Sequence, residues 1–289
     1  MVNMKNLSFG YKKERLFTNL DLQLEPGNIY GLLGKNGAGK TTLLKLISGL
    51  RYPQDGECLV LKYIPQKRLP GFLEELYLIP EEFFLPSISM RTYTKIYAPF
   101  YPRFNQRALV DFMNEFDLDV KKKLTELSYG QKKKFLLAFG IATNCRLFLL
   151  DEPTNGLDIP SKSQFRKILA SALTDDRIIL VSTHQVRDME NLIDPIIILD
   201  DGQIIFNQYI HDVSKKLITQ IEHDLPESDD VIYSAKVLGG YAVVKENRSS
   251  EESRMDLETL FNAVTTSRDK INKIFAEEAY HESTKHKNQ

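Results

Sequence analysis

A glycine-rich stretch near the N-terminus, "GKNGAGKTT" at residues 34–42, constrains the fold more than any other part of the sequence. Its spacing of Gly34, Gly39, Lys40 and Thr41 matches the phosphate-loop pattern, in which successive backbone N–H groups face a concavity that accepts phosphate oxygens. The apolar run "NIYGLL" precedes the loop, and a helix-periodic segment follows it. Strand, glycine loop and helix is the order that this motif requires, so the sequence predicts an α/β fold with a nucleotide site after that strand.

Phosphate binding gives each residue of the loop a task. Glycines at positions 37 and 39 let the backbone approach the phosphates closely and adopt positive φ. We expect Lys40 to reach the β- and γ-phosphates and Thr41 to offer its hydroxyl to Mg²⁺, while the following helix directs its positive N-terminal end at the same anion. The nucleotide-binding residues predicted in the loop are Gly34, Asn36, Gly37, Ala38, Gly39, Lys40, Thr41 and Thr42.

Charge and cysteine content exclude several classes of protein. The 289 residues include 38 basic and 39 acidic side chains, and this balance argues against a protein that mainly coats nucleic acid, so no nucleic-acid partner is expected. Two lysine runs, at 121–123 and 132–134, are interpreted as solvated helix faces. Cys58 and Cys145 are too few for a disulfide framework or a zinc site, which suits a reducing compartment.

No apolar stretch approaches the roughly 20 residues that a membrane-spanning helix needs, and the N-terminus lacks the basic and apolar regions of a signal peptide. We therefore expect a soluble chain that reaches a membrane only through a partner.

Apolar patterning predicts a mixed architecture. Alternation at residues 20–24, together with residues 2–9, predicts a small antiparallel sheet. The nearly continuous apolar runs at 146–151 and 177–183 are typical of strands buried on both faces, and the segment 161–173 between them has helical spacing. Alternating strands and helices predict a parallel sheet of βαβ units.

We expect residues 1–210 to form one nucleotide domain, with a helical subdomain at about 88–143, because no internal repeat is visible. Residues 211–289 are predicted to form a small α+β extension from two β-rich runs and a helical pattern. The polar stretch 249–253 and the C-terminal end are predicted to be mobile.

Two carboxylates follow the apolar run at 147–150. A strand there would deliver Asp151 and Glu152 to the edge of the sheet where ligands of α/β proteins bind. Adjacent carboxylates face different directions, so Asp151 is expected to hold Mg²⁺ through water and Glu152 to polarise the water that attacks the γ-phosphate. The alternative is a structural acidic turn before Pro153.

Five motifs in a fixed order resemble those of the ATP-binding subunits of ABC transporters, and the resemblance covers about residues 1–210. They correspond to the Walker A, signature, Walker B, D-loop and H-loop motifs: "GKNGAGKTT", "LSYGQ" at 127–131, "LFLLDEP" at 147–153, "TNGLD" at 154–158 and "STH" at 182–184.

The resemblance implies a dimer of two nucleotide domains, a second copy or a related subunit, that bury ATP between them. The signature of one chain would then face the γ-phosphate bound to the other, through Ser128, Gly130 and Gln131. It further implies that His184 bridges the γ-phosphate and the catalytic carboxylate, and that Asp158 belongs to the dimer contact. Tyr11 occupies the place of an adenine-stacking ring, although tyrosines near an N-terminal strand are also common on surfaces.

The sequence departs from the family pattern in two places. Tyr129 stands where most members have the first signature glycine, so a phenol must fit beside the partner's nucleotide. For the Q-loop, which contacts Mg²⁺ and the membrane partner, Gln66 is one candidate. Glu81 is the other and is preferred, because it follows an apolar strand pattern and its carboxylate still offers an oxygen to Mg²⁺.

The function implied is that of an ATPase subunit that couples dimer closure and ATP hydrolysis to a separately encoded transmembrane permease. The C-terminal extension and Glu81 favour an exporter. The segment around Phe83 and Phe84 is a candidate for permease contact, or else part of the core. The alternative function is a soluble ABC-type ATPase of an assembly or repair system without a membrane partner.

Overall fold

The structure is a computed structural model in which residues 1–224, 230–249 and 253–275 are described. The C-terminal end and most of the stretch 249–253, both predicted to be mobile, lie outside these residues. In the described parts of the chain the strands are β1 (Val2–Tyr11), β2 (Glu14–Leu24), β3 (Asn28–Leu33), β4 (Asp55–Val60), β5 (Leu76–Ile79), β6 (Leu147–Asp151), β7 (Ile178–Thr183), β8 (Ile196–Asp200), β9 (Gln203–Gln208), β10 (Leu217–Glu222), β11 (Val231–Val237) and β12 (Gly240–Glu246).

The helices in the same described ranges are mostly short. They are α1 (Lys40–Ile47), α2 (Pro70–Leu73), α3 (Met90–Tyr97), α4 (Gln106–Glu115), α5 (Tyr129–Ala142), α6 (Ile159–Ser171), α7 (Val186–Met189), α8 (Ile210–Lys216) and α9 (Leu257–Thr266), with a further helical segment at 268–275. Single 3₁₀ turns occupy Pro65–Lys67, Ala98–Phe100 and Leu124–Glu126. Among these helices, none is long and apolar enough to cross a membrane.

Six strands form the central sheet in the order β5-β6-β7-β3-β8-β9. The first five are parallel to their neighbours, and β9 pairs antiparallel with β8. Because parallel strands end at the same edge of a sheet, the segments that follow β3, β5, β6 and β7 meet there. We call this the carboxyl edge.

Both faces of the central sheet are covered, which explains the uninterrupted apolar runs in its strands. In β6, Leu147 and Leu149 belong to a core cluster shared with α1 and the small antiparallel sheet. Phe148 and Leu150, which alternate with them, belong to a second cluster shared with α4, α5 and α6. Alternate residues of one strand therefore fill two different core layers.

The small antiparallel sheet has the order β2-β1-β4, so it contains a third strand that the sequence did not predict. Only Cys58 and Val60 are buried among the six residues of β4, and so weak an alternation gives little signal. Both cysteines of the chain, Cys58 and Cys145, are buried and free.

Helices α3, α4 and α5 lie between β5 and β6 along the chain, where helical periodicity had been found. An aromatic cluster joins α3 and the segment before α4 to α5: Tyr93 and Phe104 lie with their ring centroids 5.2 and 5.1 Å from that of Phe139. Tyr77 of β5 also contacts Phe139, at 5.8 Å. These contacts fix α5 against the central sheet.

The C-terminal part of the chain forms a third sheet in the order β10-β12-β11, accompanied by α8 and α9. The hairpin of β11 and β12 matches the two predicted β-rich runs, whereas β10 was not predicted. Leu260 and Val264 of α9 belong to the same core cluster as Ile198 of β8. The extension is thus packed against the β9 side of the central sheet by shared apolar contacts.

Candidate nucleotide site

Segments from four strands meet at the carboxyl edge and line a cavity of about 500 Å³. Lys40 follows β3, Glu81 follows β5, Glu152 follows β6 and His184 follows β7, so residues distant in sequence converge because their strands are neighbours. The predicted nucleotide-binding residues that line this cavity are Tyr11, Asn36, Gly37, Gly39, Lys40, Thr41 and Thr42.

The loop between β3 and α1 requires glycine at two positions. Gly37 and Gly39 have φ values of 85° and 107°, in the left-handed region that side chains disfavour. A Cβ on Gly39 would also lie 2.8 Å from the ring of Phe17, whereas one on Gly37 would meet nothing within 4 Å. Gly34 and Ala38 lie in the same loop and contribute backbone groups, of which the Gly34 carbonyl accepts a hydrogen bond from Lys40 Nζ at 2.8 Å.

The carboxylate of Glu152 is held by two cationic or polar side chains. Lys40 Nζ lies 3.5 Å and His184 Nδ1 lies 2.8 Å from Glu152 Oε1, and the backbone N–H of His184 donates to Glu152 Oε2 at 3.3 Å. Glu152 and Lys40 are both buried. The three predicted residues therefore form one connected group beside the phosphate loop, in which the carboxylate has a fixed orientation.

Asp151 is directed away from Glu152 and towards α1 and β7. Thr41 Oγ1 donates to Asp151 Oδ2 at 2.7 Å, and Ser182 Oγ donates to Asp151 Oδ1 at 2.5 Å. The two adjacent carboxylates thus have separate partners, which is compatible with the separate roles predicted for them, Asp151 towards Mg²⁺ and Glu152 as the base. Ser182 was not assigned a role from the sequence, although it lies in the "STH" stretch beside His184.

Of the two Q-loop candidates, Glu81 lines the same cavity as Lys40 and Glu152. Its Oε1 accepts a hydrogen bond from Asn155 Nδ2 at 3.0 Å, which ties it to the turn after β6. Gln66 lies in the 3₁₀ turn Pro65–Lys67 and lines a different cavity, beside β4. The structure therefore places Glu81, and not Gln66, beside the phosphate loop.

Tyr11 lies on the rim of the cavity with 43% of its surface exposed. Its hydroxyl is 3.2 Å from Thr42 Oγ1, and its ring meets Phe9 edge-on with centroids 5.0 Å apart. The guanidinium of Arg51 lies 5.9 Å from the ring centroid. These contacts hold an accessible aromatic ring next to the phosphate loop, in a position suited to stacking.

The signature residues do not line the cavity. Ser128 caps α5: its Oγ accepts from the N–H of Gln131 at 3.2 Å, while Gln131 Oε1 accepts from the N–H of Ser128 at 3.0 Å. Gly130 lies in the first turn of this helix. Asp158 caps α6 by accepting the N–H of Ser161 at 2.9 Å, and hydrogen bonds from Ser161 lower the pKa of Asp158.

Tyr129 joins the signature to two other motifs. Its hydroxyl donates to the carbonyl of Glu81 at 2.7 Å, and its ring stacks on Phe83 with centroids 5.4 Å apart. The ring also covers Gly156, on which an added Cβ would lie 3.0 Å from the tyrosine. The signature, the Glu81 segment and the D-loop therefore form one continuous surface, with Tyr129 in its middle.

The lysine runs differ from their interpretation as solvated helix faces. Residues 121–123 are exposed but lie in a turn, and Lys133 is buried with 4% of its surface exposed. Lys133 shares a helix face with Leu136, Leu137 and Gly140, so helical spacing within "KKKFLLAFG" was the signal that marked it. Because lysine side chains are usually exposed, the run was interpreted as a solvated face even though its helical spacing indicated a buried position for Lys133.

Comparison with known proteins identifies the family. The family model described as "ABC transporter" matches residues 17–155. The SkfA peptide export ATP-binding protein SkfE of Bacillus subtilis is 31% identical over 217 residues, which are 73% of this chain and 90% of that protein. The chain belongs to the ABC transporter family. It is an ATP-binding subunit of this family and hydrolyses ATP to ADP and phosphate.

Further likenesses agree with this assignment. The methionine import ATP-binding protein MetN of Carboxydothermus hydrogenoformans is 29% identical over 251 residues, covering 78% of this chain and 74% of its own length. A solved structure of an ATP binding subunit of an ABC transporter has a TM-score of 0.69 and 25% identity, covering 74% of this chain and 91% of its own. The predicted family, α/β phosphate-loop fold and ATPase activity are confirmed, and the soluble assembly or repair ATPase is not favoured.

Proposed function

We propose that this ATPase subunit binds ATP with Mg²⁺ in the cavity at the carboxyl edge and uses Glu152 as the base for hydrolysis. The observation that carries the proposal is the pair of contacts on Glu152 Oε1, from Lys40 at 3.5 Å and from His184 at 2.8 Å. They hold an acceptor for a proton beside the loop whose backbone binds phosphate, which is the arrangement that general-base attack by water requires.

The oxygen donors at this edge fit Mg²⁺. Thr41 Oγ1 and the carboxylate of Asp151 lie together, and the carboxylate of Glu81 lines the same cavity. Hydroxyl, carboxylate and water oxygens are the ligands that Mg²⁺ prefers beside bound phosphates. We assign Thr41, Asp151 and Glu81 to the metal, which when bound would neutralise charge on the phosphate oxygens. His184 would contact both the γ-phosphate and Glu152, and Tyr11 would stack on adenine.

A second nucleotide-binding subunit would complete the site, either another copy of this chain or a related protein. The surface that carries Ser128, Gly130, Gln131 and Asp158 also exposes apolar side chains, with Ile159 at 83% exposure and Tyr129 at 43%. Exposed apolar residues at the start of two helices favour a protein contact there. The N-terminal end of α5 would then face the partner's γ-phosphate.

The permease would dock on the side of the molecule where the helical segment 88–143 meets the Glu81 segment. Phe84 is 90% exposed, whereas Phe83 is partly buried by its stacking on Tyr129. A groove of about 620 Å³ that borders β5 and the helical segment includes Leu50, Tyr97 and Phe100 among its lining residues. Both the exposed Phe84 ring and an apolar groove are features that suit contact with a helical segment of a membrane partner. This docking would place the subunit on the cytoplasmic face of the membrane.

We further propose that the transporter is an exporter. Support comes from the C-terminal extension, from Glu81 in the Q-loop position and from the relative named for peptide export. Another relative of similar identity is named for methionine import, so the exporter assignment rests on the extension and on Glu81 rather than on sequence identity.

Purification from detergent-solubilised membranes tests the permease. With tagged full-length chain, we expect a polytopic membrane protein to copurify, and we expect Phe84→Glu to reduce its yield several-fold while soluble ATPase activity is retained. Glu57→Gln, a substitution at an exposed position on β4, is the control and should copurify the membrane protein in the same yield as the parent chain. If mass spectrometry finds no polytopic companion with the parent chain, the transporter assignment of this subunit fails.

The Q-loop assignment predicts an order of effects. Glu81→Ala removes a carboxylate from the cavity and its contact with Asn155, so we expect ATPase activity at limiting Mg²⁺ to fall about 10-fold. Gln66→Ala, in a different cavity beside β4, should change the activity less than about 2-fold because surface substitutions away from a site have small effects. Titration of activity with Mg²⁺ for both variants is the measurement, and the reverse order would overturn the choice of Glu81.

A further inference from the structure

Lys133 contributes a buried ammonium group that the proposed reaction does not use. It lies on α5, five residues after Ser128, and its side chain points under the turn that follows β6. Lys133 Nζ donates to the backbone carbonyl of Glu152 at 2.8 Å and to that of Asn155 at 2.9 Å. Its hydrogen-bond acceptors are therefore main-chain groups of the catalytic segment rather than carboxylates.

Burial of this charge is costly, and burial lowers the pKa of Lys133 to about 8. Three carboxylates oppose that effect: Glu81, Glu152 and Asp151. The ring of Tyr129, with its centroid 5.1 Å from Nζ, covers the ammonium from the side of the signature. An apolar side chain of similar length would fill the same space without this cost, so packing alone does not account for a lysine here.

The segment that Lys133 holds is strained. Glu152 has φ of 44°, in the left-handed region, which is rare for a residue with a side chain. Such a conformation persists only where its surroundings determine it. The N–H of Glu152 is fixed by the Ser182 carbonyl at 3.0 Å, and its carboxylate is fixed by Lys40 and His184. Its carbonyl accepts a hydrogen bond from Lys133 Nζ at 2.8 Å and a longer one from the N–H of Asn155 at 3.3 Å, so Lys133 is the side chain that holds this end of the residue.

We propose that Lys133 is a positioning residue for hydrolysis: by holding the carbonyls of Glu152 and Asn155 it keeps the Glu152 carboxylate aimed at the attacking water. The same ammonium also holds Asn155, whose side chain donates to Glu81. One cation on the signature helix thus aligns both the base and the Q-loop carboxylate of its own chain. The inference rests on the proposed role of Glu152.

Steady-state kinetics of the full chain test this role. Lys133→Met keeps the length of the side chain and removes its donors, so we expect kcat to fall about 10- to 100-fold while KM for ATP stays within about 2-fold, because a misaimed base slows chemistry without weakening binding. Lys133→Gln keeps N–H donors without the charge and should retain an intermediate kcat. Lys132→Met is the matched control, one residue away on the helix and partly exposed.

A double-mutant cycle with Glu152→Gln separates positioning from general destabilisation. If Lys133 acts through Glu152, adding Lys133→Met to Glu152→Gln should change residual single-turnover hydrolysis by less than about 2-fold. An equal fold-loss in both backgrounds, or a kcat of Lys133→Met within about 2-fold of the parent, would overturn the proposal. If the Met variant does not fold by circular dichroism, the Gln variant enters the same cycle.

The two proposals fail in different ways. Full turnover by Glu152→Gln alone would reject Glu152 as the base. Loss of turnover in Glu152→Gln combined with normal turnover in both Lys133 variants would leave the base in place and reject Lys133 as its positioning residue.

Discussion

Glu152→Gln should bind ATP and fail to turn it over, with kcat about 10³-fold below that of the parent chain. The amide has the shape of the carboxylate, and its single oxygen can still accept the shorter of the two hydrogen bonds from His184, the one from Nδ1 at 2.8 Å, so the side chain keeps its place at the end of β6. It cannot accept a proton from water. Release of phosphate at saturating ATP is the measurement, and turnover within about 3-fold of the parent would contradict the assignment.

The same substitution should also make the ATP-bound dimer persist. Glu152 shares the carboxyl edge with Asp151 and Glu81, so neutralising it reduces the repulsion that a triphosphate meets there while hydrolysis no longer reopens the dimer. We expect gel filtration with ATP and Mg²⁺ to show a dimer for Glu152→Gln and mainly monomer for the parent. Glu57→Gln, an identical change on the exposed side of β4, should behave as the parent does in both assays.

The central architecture was predictable because two physical signals agreed along the chain. Strands buried on both faces appear as apolar runs, and the phosphate loop needs a strand before it and a helix after it, so β3, β6, β7 and α1 were located from the sequence. The meeting of the motif residues at the carboxyl edge followed from the parallel pairing of their strands alone. The fold was predictable because the local patterns of these segments agree with the tertiary packing in which they are found.

Elements with weak local signals were missed. β4 buries two of its six residues and β10 leaves most of its side chains partly exposed, so neither has the alternation that marks a strand in sequence. Both owe their pairing to partners distant in the chain, β1 and β12. The strand propensity of a single segment cannot reveal such contacts, because much of the energy that stabilises a strand comes from side chains on the neighbouring strands.

The site was predictable in its residue types but not in its connections. Lys40, Asp151, Glu152 and His184 were located by motif order, whereas the burial of Lys133 depends on how α5 packs against the turn after β6. No local pattern shows that a lysine in a basic run will donate to carbonyls of another motif. Such contacts between motifs are therefore the part of the site that required a structure.

Lys40→Ala should weaken ATP binding by about 3 kcal/mol or more, which is about 10²-fold in Kd. The ammonium is buried at the base of the cavity, where a charge-assisted hydrogen bond to phosphate is little screened. It also donates to the carbonyls of Gly34 and Lys35 at 2.8 and 3.2 Å, so its loss removes support from the loop that binds phosphate. Calorimetric titration with ATP and Mg²⁺ measures the change.

Lys35→Ala is the matched control for that titration, because it removes the same charge from an exposed side chain in the same loop. Its Kd should stay within about 2-fold of the parent value, since surface charges contribute little when solvent screens them. ATP at 100 times Kd should stabilise the parent and the control by about 2.7 kcal/mol, seen as a rise in Tm, and should leave Lys40→Ala nearly unchanged. A Kd for Lys40→Ala within a few-fold of the parent would show that this loop does not hold the phosphates, because Lys40 is the one lysine among the described residues that line the cavity.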